Sequence, residues 1–142
     1  MPRADFRFSF LYRARYHEVD RQDVVFNGHY LSYFSMAIVE FLRELDSDYR
    51  SGTSSSGVDF HIVKALVEYR APIRFDQEIE VLVRIARVGR SSLTYVLEIH
   101  PRGQESLLAN GEIVWAAADR AAQKSVPIPQ DLVEKIDRYR GS

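Results

Sequence analysis

Glu18, Asp20, Asn27 and Gly28 are the residues of this chain whose types and spacing suggest chemistry. Glu18 and Asp20 stand two apart, so they share a face if the preceding strand runs that far. Asn27-Gly28 ends an irregular stretch immediately before a helix-forming run. The first amides of a helix lack intrahelical acceptors and sit at the positive end of its dipole, so they can hold an oxyanion. A carboxylate facing them makes half of a hydrolytic site. The carboxylate activates water or attacks, and the amides stabilise the developing charge. The same residue types also serve as turn and capping residues, and residue type alone leaves both readings open. His29, at the head of the helix, reads either as an acid–base group or as a first-turn polar residue. The histidines at 17, 29, 61 and 100 have no metal-ligand spacing, and no metal is expected. No glycine-rich phosphate loop and no Gly-x-Ser-x-Gly nucleophile elbow is present.

The elements that position these residues follow from hydrophobic period. Phe6, Phe8, Phe10, Tyr12, Ala14 and Tyr16 alternate with Arg7, Ser9, Arg13 and Arg15, which predicts a strand with one buried face. A helix is predicted over His29–Leu45. Its apolar residues, from Tyr30 and Leu31 to Phe41, Leu42 and Leu45, cover most of its circumference. It should therefore be wrapped by other structure or by a partner subunit. A polar loop is predicted over Asp46–Gly57. Four strands follow, over His61–Ala71, Glu78–Val88, Ser91–His100 and Leu107 to about Ala118, with Val63, Ala65, Val67 and Tyr69 on one side of the first. Gly89-Arg90 and Arg102-Gly103-Gln104 are short enough for hairpins between antiparallel neighbours. Trp115 reads as a core or interface residue. Leu132, Val133, Ile136 and Tyr139 predict a short C-terminal amphipathic helix. The expected class is α+β: a long central helix wrapped by a curved antiparallel sheet of about five strands.

Composition narrows the partners. With 142 residues, 46% of them apolar, the chain reads as one domain over 1–142 with a substantial core. Nineteen basic against twenty acidic residues give no general reason to expect nucleic acid or an anionic membrane. The lack of cysteine excludes disulfides, thiolate metal sites and a cysteine nucleophile. Neither a signal peptide nor a membrane span is legible, so a cytoplasmic protein is expected.

The run Asp20-x-x-Asp23-Val24-Val25-Phe26-Asn27-x-x-Tyr30-Leu31-x-Tyr33-Phe34, with Glu40 and Arg43 downstream, resembles the signature of the hotdog-fold acyl-CoA thioesterases of the 4-hydroxybenzoyl-CoA thioesterase type. The resemblance implies the hotdog fold and hydrolysis of an acyl-CoA thioester without a cofactor. It aligns Asp20 with the catalytic carboxylate, as general base or nucleophile. It aligns Asn27 with the residue whose amide polarises the carbonyl, and Tyr30 with a pocket tyrosine. His29, next to Tyr30, joins the candidates for substrate contact. Arg87, Arg90 and Ser91 fall in a turn resembling the place where such proteins meet the phosphates of coenzyme A, a role suited to the guanidinium fork. The resemblance also implies a homo-oligomer, at least a dimer paired sheet edge to edge, with a tetramer as the fuller assembly. One departure stands out: the family's glycine three residues after the aspartate is Asp23 here, and aspartate tolerates left-handed backbone better than most residues. Two other readings fit the same fold: a non-catalytic acyl-CoA or acyl-carrier-protein binder, and a hydratase or dehydratase, which would need a histidine-containing pair.

Overall fold

A computed structural model of the chain describes residues 3–47 and 57–141. Most of the polar loop expected over Asp46–Gly57, including Ser54 to Ser56, lies outside the described residues. In chain order the elements are β1 (Phe8–Arg13), α1 (His29–Glu44), β2 (Val58–Tyr69), β3 (Glu78–Val88), β4 (Ser92–Pro101), β5 (Ala109–Asp119) and α2 (Gln130–Gly141). The strands form one antiparallel sheet in the order β1-β3-β4-β5-β2. Its concave face holds α1, the arrangement expected from the alternation of the strands and the girth of the helix.

The alternation is realised most fully at the centre of the sheet. Ile79, Val81, Val83 and Ile85 of β3 and Leu93, Tyr95, Leu97 and Ile99 of β4 are at most 2% exposed, under Phe34, Ile38 and Leu42 of α1. The helix ends where Asp46 enters the left-handed region (φ 57°) and the Ser47 amide donates to the Leu42 carbonyl at 3.0 Å. Lys135 of α2 donates to the Asp46 carbonyl, joining the C-terminal helix to that end. Gly111 of β5 lies where helix, sheet and neighbouring strand come closest. A Cβ there would fall 2.3 Å from the Leu66 carbonyl oxygen and 2.5 Å from the Phe34 ring, so only glycine fits.

The structure corrects two expectations and sharpens a third. The first strand ends at Arg13, and Tyr16 opens a 3₁₀ turn over Tyr16–Glu18, where it is 82% exposed instead of facing the core. In β2 the register with β5 shifts between Ile62 and Lys64, so Val63 is the extra residue of a bulge. Period-two reading cannot see that insertion. Phe60 and Ile62 lie on the side of Ala65, Val67 and Tyr69, while Val63 is 62% exposed. Finally, β2 is an edge strand with Ile62, Leu66 and Tyr69 also exposed, and Leu31 of α1 is 39% exposed. The described residues therefore wrap most of the helix but not all of it.

Candidate active site

The residues between Glu18 and Tyr30 fold back on themselves ahead of α1. Val19 bridges Val25, the Asp20 amide donates to the Val24 carbonyl at 2.8 Å, and the Phe26 amide donates to the Glu18 carbonyl at 2.9 Å. The turn at the tip runs from Asp20 to Asp23, whose amide donates to the Asp20 carbonyl at 3.0 Å. Asp23 has φ 65°, so the left-handed position that suits glycine is filled here by aspartate. The loop is fastened to the body by the Val25 amide, which donates to the Ile73 carbonyl at 2.7 Å, and by a Val24–Arg74 bridge.

Glu18 anchors the base of this loop. The carboxylate is 5% exposed and accepts the Tyr12 hydroxyl at 2.6 Å, the Tyr33 hydroxyl at 2.8 Å and the Arg15 amide at 2.8 Å. Burial alone would raise its pKa. The Tyr12, Arg15 and Tyr33 bonds, aided by His17, outweigh burial and hold the carboxyl below its ordinary value of 4.5. Burial and the adjacent carboxylate push the Tyr12 hydroxyl up to about 12, and the same causes raise Tyr33. Glu18 therefore faces inward and is spent on structure, joining β1, the loop and α1.

Asp20 is exposed at the loop tip. Its Oδ1 accepts the Gln22 amide at 2.8 Å, and its second oxygen bonds to no described residue. Asn27 and Gly28 lie at the mouth of α1, which has no side-chain cap. Among the described residues, neither the Asn27 nor the Gly28 amide donates to a protein acceptor. The Asn27 carbonyl accepts the Tyr69 hydroxyl at 3.0 Å and the Tyr30 amide at 3.4 Å. Tyr30 is 3% exposed, and its ring meets Tyr69 edge-on with centroids 4.8 Å apart. Burial raises the Tyr30 hydroxyl, helped by Tyr69 and opposed by a bond from the Ile73 amide. His29 is half-buried and packs edge-on against Phe26 at 6.1 Å. The arrangement can thus offer an accessible carboxylate and two unpaired amides on one short loop.

Asn27, His29, Tyr30 and Tyr69 come together, and Asp20 sits on the same loop without a direct bond to any of them. Arg87, Arg90 and Ser91 do not join them. Arg13 of β1 pairs with Glu78, so the loop lies at the start of β3, and the turn after Val88 is roughly 33 Å away along the strand. Tyr69 is the site residue that sequence reasoning missed. Its signal was an aromatic at the end of an alternating strand, which is equally the signature of a core position.

The acyl-CoA thioester hydrolase YbgC of Escherichia coli O6:H1 is 26% identical over 124 residues, covering 87% of this chain and 91% of that protein. The crystal structure of the PA5185 protein from Pseudomonas aeruginosa matches with a TM-score of 0.85 at 30% identity, covering 96% of this chain and 93% of that one. The 1,4-dihydroxy-2-naphthoyl-CoA thioesterase Slr0204 from Synechocystis shares the hotdog fold, with a TM-score of 0.84 at 18% identity over 92% of this chain and 95% of that one. The profile of the Thioesterase-like superfamily matches residues 14–136, from the end of β1 into α2, and the chain belongs to that superfamily.

Proposed function

We propose that the protein hydrolyses the thioester of an acyl-coenzyme A. Asp20 acts as general base toward water or as nucleophile on the carbonyl, and the Asn27 amide polarises the carbonyl oxygen. The observation that carries this reading is the open mouth of α1, where the Asn27 and Gly28 amides have no acceptor among the described residues and stand on the loop that exposes Asp20. Donors fixed in advance at the place where negative charge develops are worth roughly 10²–10³ in rate each. Tyr30 and Tyr69 serve by position: the Tyr69 hydroxyl and the Tyr30 amide bond the Asn27 carbonyl and so hold the plane of the Asn27–Gly28 peptide at the helix mouth. His29 contacts the substrate beside them. The thiolate of coenzyme A departs, so no metal or cofactor is needed.

The working form is a homo-oligomer, a dimer at least and a tetramer in the fuller assembly. The edge of β2, unpaired among the described residues and with Ile62, Val63, Leu66 and Tyr69 exposed along it, supports edge-to-edge pairing with a second copy. Such pairing would cover Leu31 and complete the wrapping of α1. Arg87, Arg90 and Ser91 then meet the phosphates of coenzyme A from a neighbouring subunit, since in their own they lie at the far end of the sheet.

The test is release of free thiol from a panel of short, long and aromatic acyl-CoAs. Turnover is expected on at least one, and Asp20→Asn should lose about 10²–10⁴-fold of the rate with an unchanged melting temperature, because Asp20 is exposed. If wild type and Asp20→Asn are equally inert across the panel, the enzyme reading fails; tight acyl-CoA binding without turnover would then mark a non-catalytic acyl-CoA or acyl-carrier-protein binder.

A further inference from the structure

Asn27 and Asn110 are the two asparagines of this chain, and each is followed by glycine. That pair has a chemistry of its own. The nitrogen of the following peptide can attack the asparagine side-chain carbonyl, and glycine has no Cβ to obstruct the ring that forms. The fold puts its two pairs in opposite surroundings. Asn110 and Gly111 lie inside the ladder, Asn110 between Glu68 of β2 and Glu98 of β4, and Gly111 between Val67 and Leu97. The Asn110 side chain is bonded at both ends: its Nδ2 donates to Glu68 at 2.7 Å, and its Oδ1 accepts the Arg70 Nε at 2.9 Å. Gly111 is buried. Ring closure here would take the side chain off both partners and the backbone out of the ladder.

Asn27 and Gly28 are both exposed, just ahead of the first turn of α1. Among the described residues the Asn27 side chain has no hydrogen-bond partner and the Gly28 amide has no acceptor. The Tyr69 hydroxyl and the Tyr30 amide hold the Asn27 carbonyl, and with it the plane that carries the Gly28 nitrogen. The unbonded side chain can turn onto that nitrogen. The attacking species is the nitrogen without its proton, an anion, and it forms at the positive end of the helix. The same helix end favours the carboxylate that results.

We propose that Asn27 is a site of self-modification, converting through a cyclic imide to aspartate and isoaspartate while Asn110 persists. The Gly28 nitrogen gives its proton to solvent and bonds to the Asn27 side-chain carbon; the side-chain nitrogen takes up a proton and leaves as ammonia. Water then opens the ring. Opening at the side-chain carbonyl gives aspartate. Opening at the main-chain carbonyl gives isoaspartate, which routes the backbone through the side chain and adds a methylene to it. Nothing is oxidised, and water is the co-reactant. The modification does not depend on the reaction proposed above, but on that reading it places a charge beside the amide that polarises the carbonyl.

The full chain is incubated at pH 8 with and without concentrated urea, then briefly digested with trypsin. The two sites fall in separate peptides, Gln22–Arg43 and Gly103–Arg120. Mass spectrometry reads the conversion of amide to acid, and isoaspartyl methyltransferase labels the isoaspartate. In the folded protein Asn27 should convert at least about tenfold faster than Asn110, whose reaction waits for local opening of the sheet. In urea the two rates should converge. Gly28→Ala should slow Asn27 at least about tenfold, because its methyl group crowds the ring. The two sites of the wild-type chain are compared with each other, so the test stands if Gly28→Ala folds poorly. Equal rates in the folded protein overturn the proposal. So does an inert Asn27 over a time in which the urea-treated chain converts, or a Gly28→Ala protein that converts as fast as wild type. Mass reads the change without turnover of any acyl-CoA, so this proposal and the thioesterase reading fail separately.

Discussion

Removal of the Glu18 carboxylate should loosen the junction of β1, the candidate active-site loop and α1. In Glu18→Ala the Tyr12 and Tyr33 hydroxyls, 9% and 0% exposed by residue, lose their acceptor. Each buried donor left unsatisfied costs about 1–3 kcal/mol. The Arg15 amide belongs to an exposed residue and can turn to water, so it adds little. The expected loss is therefore roughly 2–6 kcal/mol, a large part of the stability of a domain of this size. Glu18→Gln keeps the shape but not the charge, and its amide nitrogen meets a hydroxyl that was donating. A loss of about 2 kcal/mol is expected, since charge-assisted bonds are roughly twice as strong as neutral ones. The acid limb has a definite sign. The folded carboxyl titrates below its ordinary value of 4.5, so protonation favours the unfolded chain. The stabilisation is complete above that value and is lost as the pH falls through the lower, folded pKa. Urea unfolding at pH 7 and in steps below pH 4.5, followed by tyrosine fluorescence and circular dichroism, reads both effects. Wild type and Glu18→Gln should converge in acid. A Glu18→Ala protein within about 1 kcal/mol of wild type at pH 7 would refute the reasoning, because two buried hydroxyls cannot go unpaired so cheaply.

Two further substitutions test other parts of the description. Asp23 holds φ 65°, so Asp23→Gly should be neutral or stabilising by up to about 1 kcal/mol, whereas Asp23→Val should cost at least about 1 kcal/mol; paired denaturation midpoints decide, and a stable valine variant would contradict the backbone geometry. Ile62→Asp places a charge on the exposed edge of β2 and should convert the proposed oligomer to monomer in sedimentation velocity; an unchanged sedimentation coefficient would move the interface elsewhere.

Where local period and burial agree, the chain could be read directly. The β3 range of Glu78–Val88 and the helix start at His29 emerge from alternation and apolar girth, and the structure places both there. The candidate loop was legible as a spacing, Asp20 to Asn27 to Tyr30, and Asp23 as the residue taking the glycine position. Features set by distant partners stayed hidden. The bulge at Val63 depends on β5, and nothing in β2 itself announces it. Glu98 and His100 read as the solvent face and edge of β4, yet they are 6% and 3% exposed and bonded to each other at 2.9 Å. Leu82 stands opposite Glu98 in the register, and the N-terminal segment lies across that face, with Phe6 lining a cleft beside Leu82 and Arg3 bound to Glu80. Tyr69 has its role only once β2 has found its place beside the helix mouth. Charge and alternation report which way a side chain faces; they do not report what comes to cover it.

Gly111 carries a consequence for how such a chain can vary over generations. Its missing Cβ lets Phe34 rest against β5, and Phe34 is seven residues along the helix from Asn27, a rise of roughly 10 Å. Any side chain at 111 would act on the helix as a wedge, and the helix would carry its mouth outward with it. The amides at Asn27 and Gly28 are backbone atoms that no substitution other than proline can delete. Their aim is nonetheless hereditary at a distance, fixed by a single hydrogen on the sheet. A lineage can exchange the loop residues and try new substrates while that hydrogen stays, and a single replacement of it would misalign every version of the loop at once.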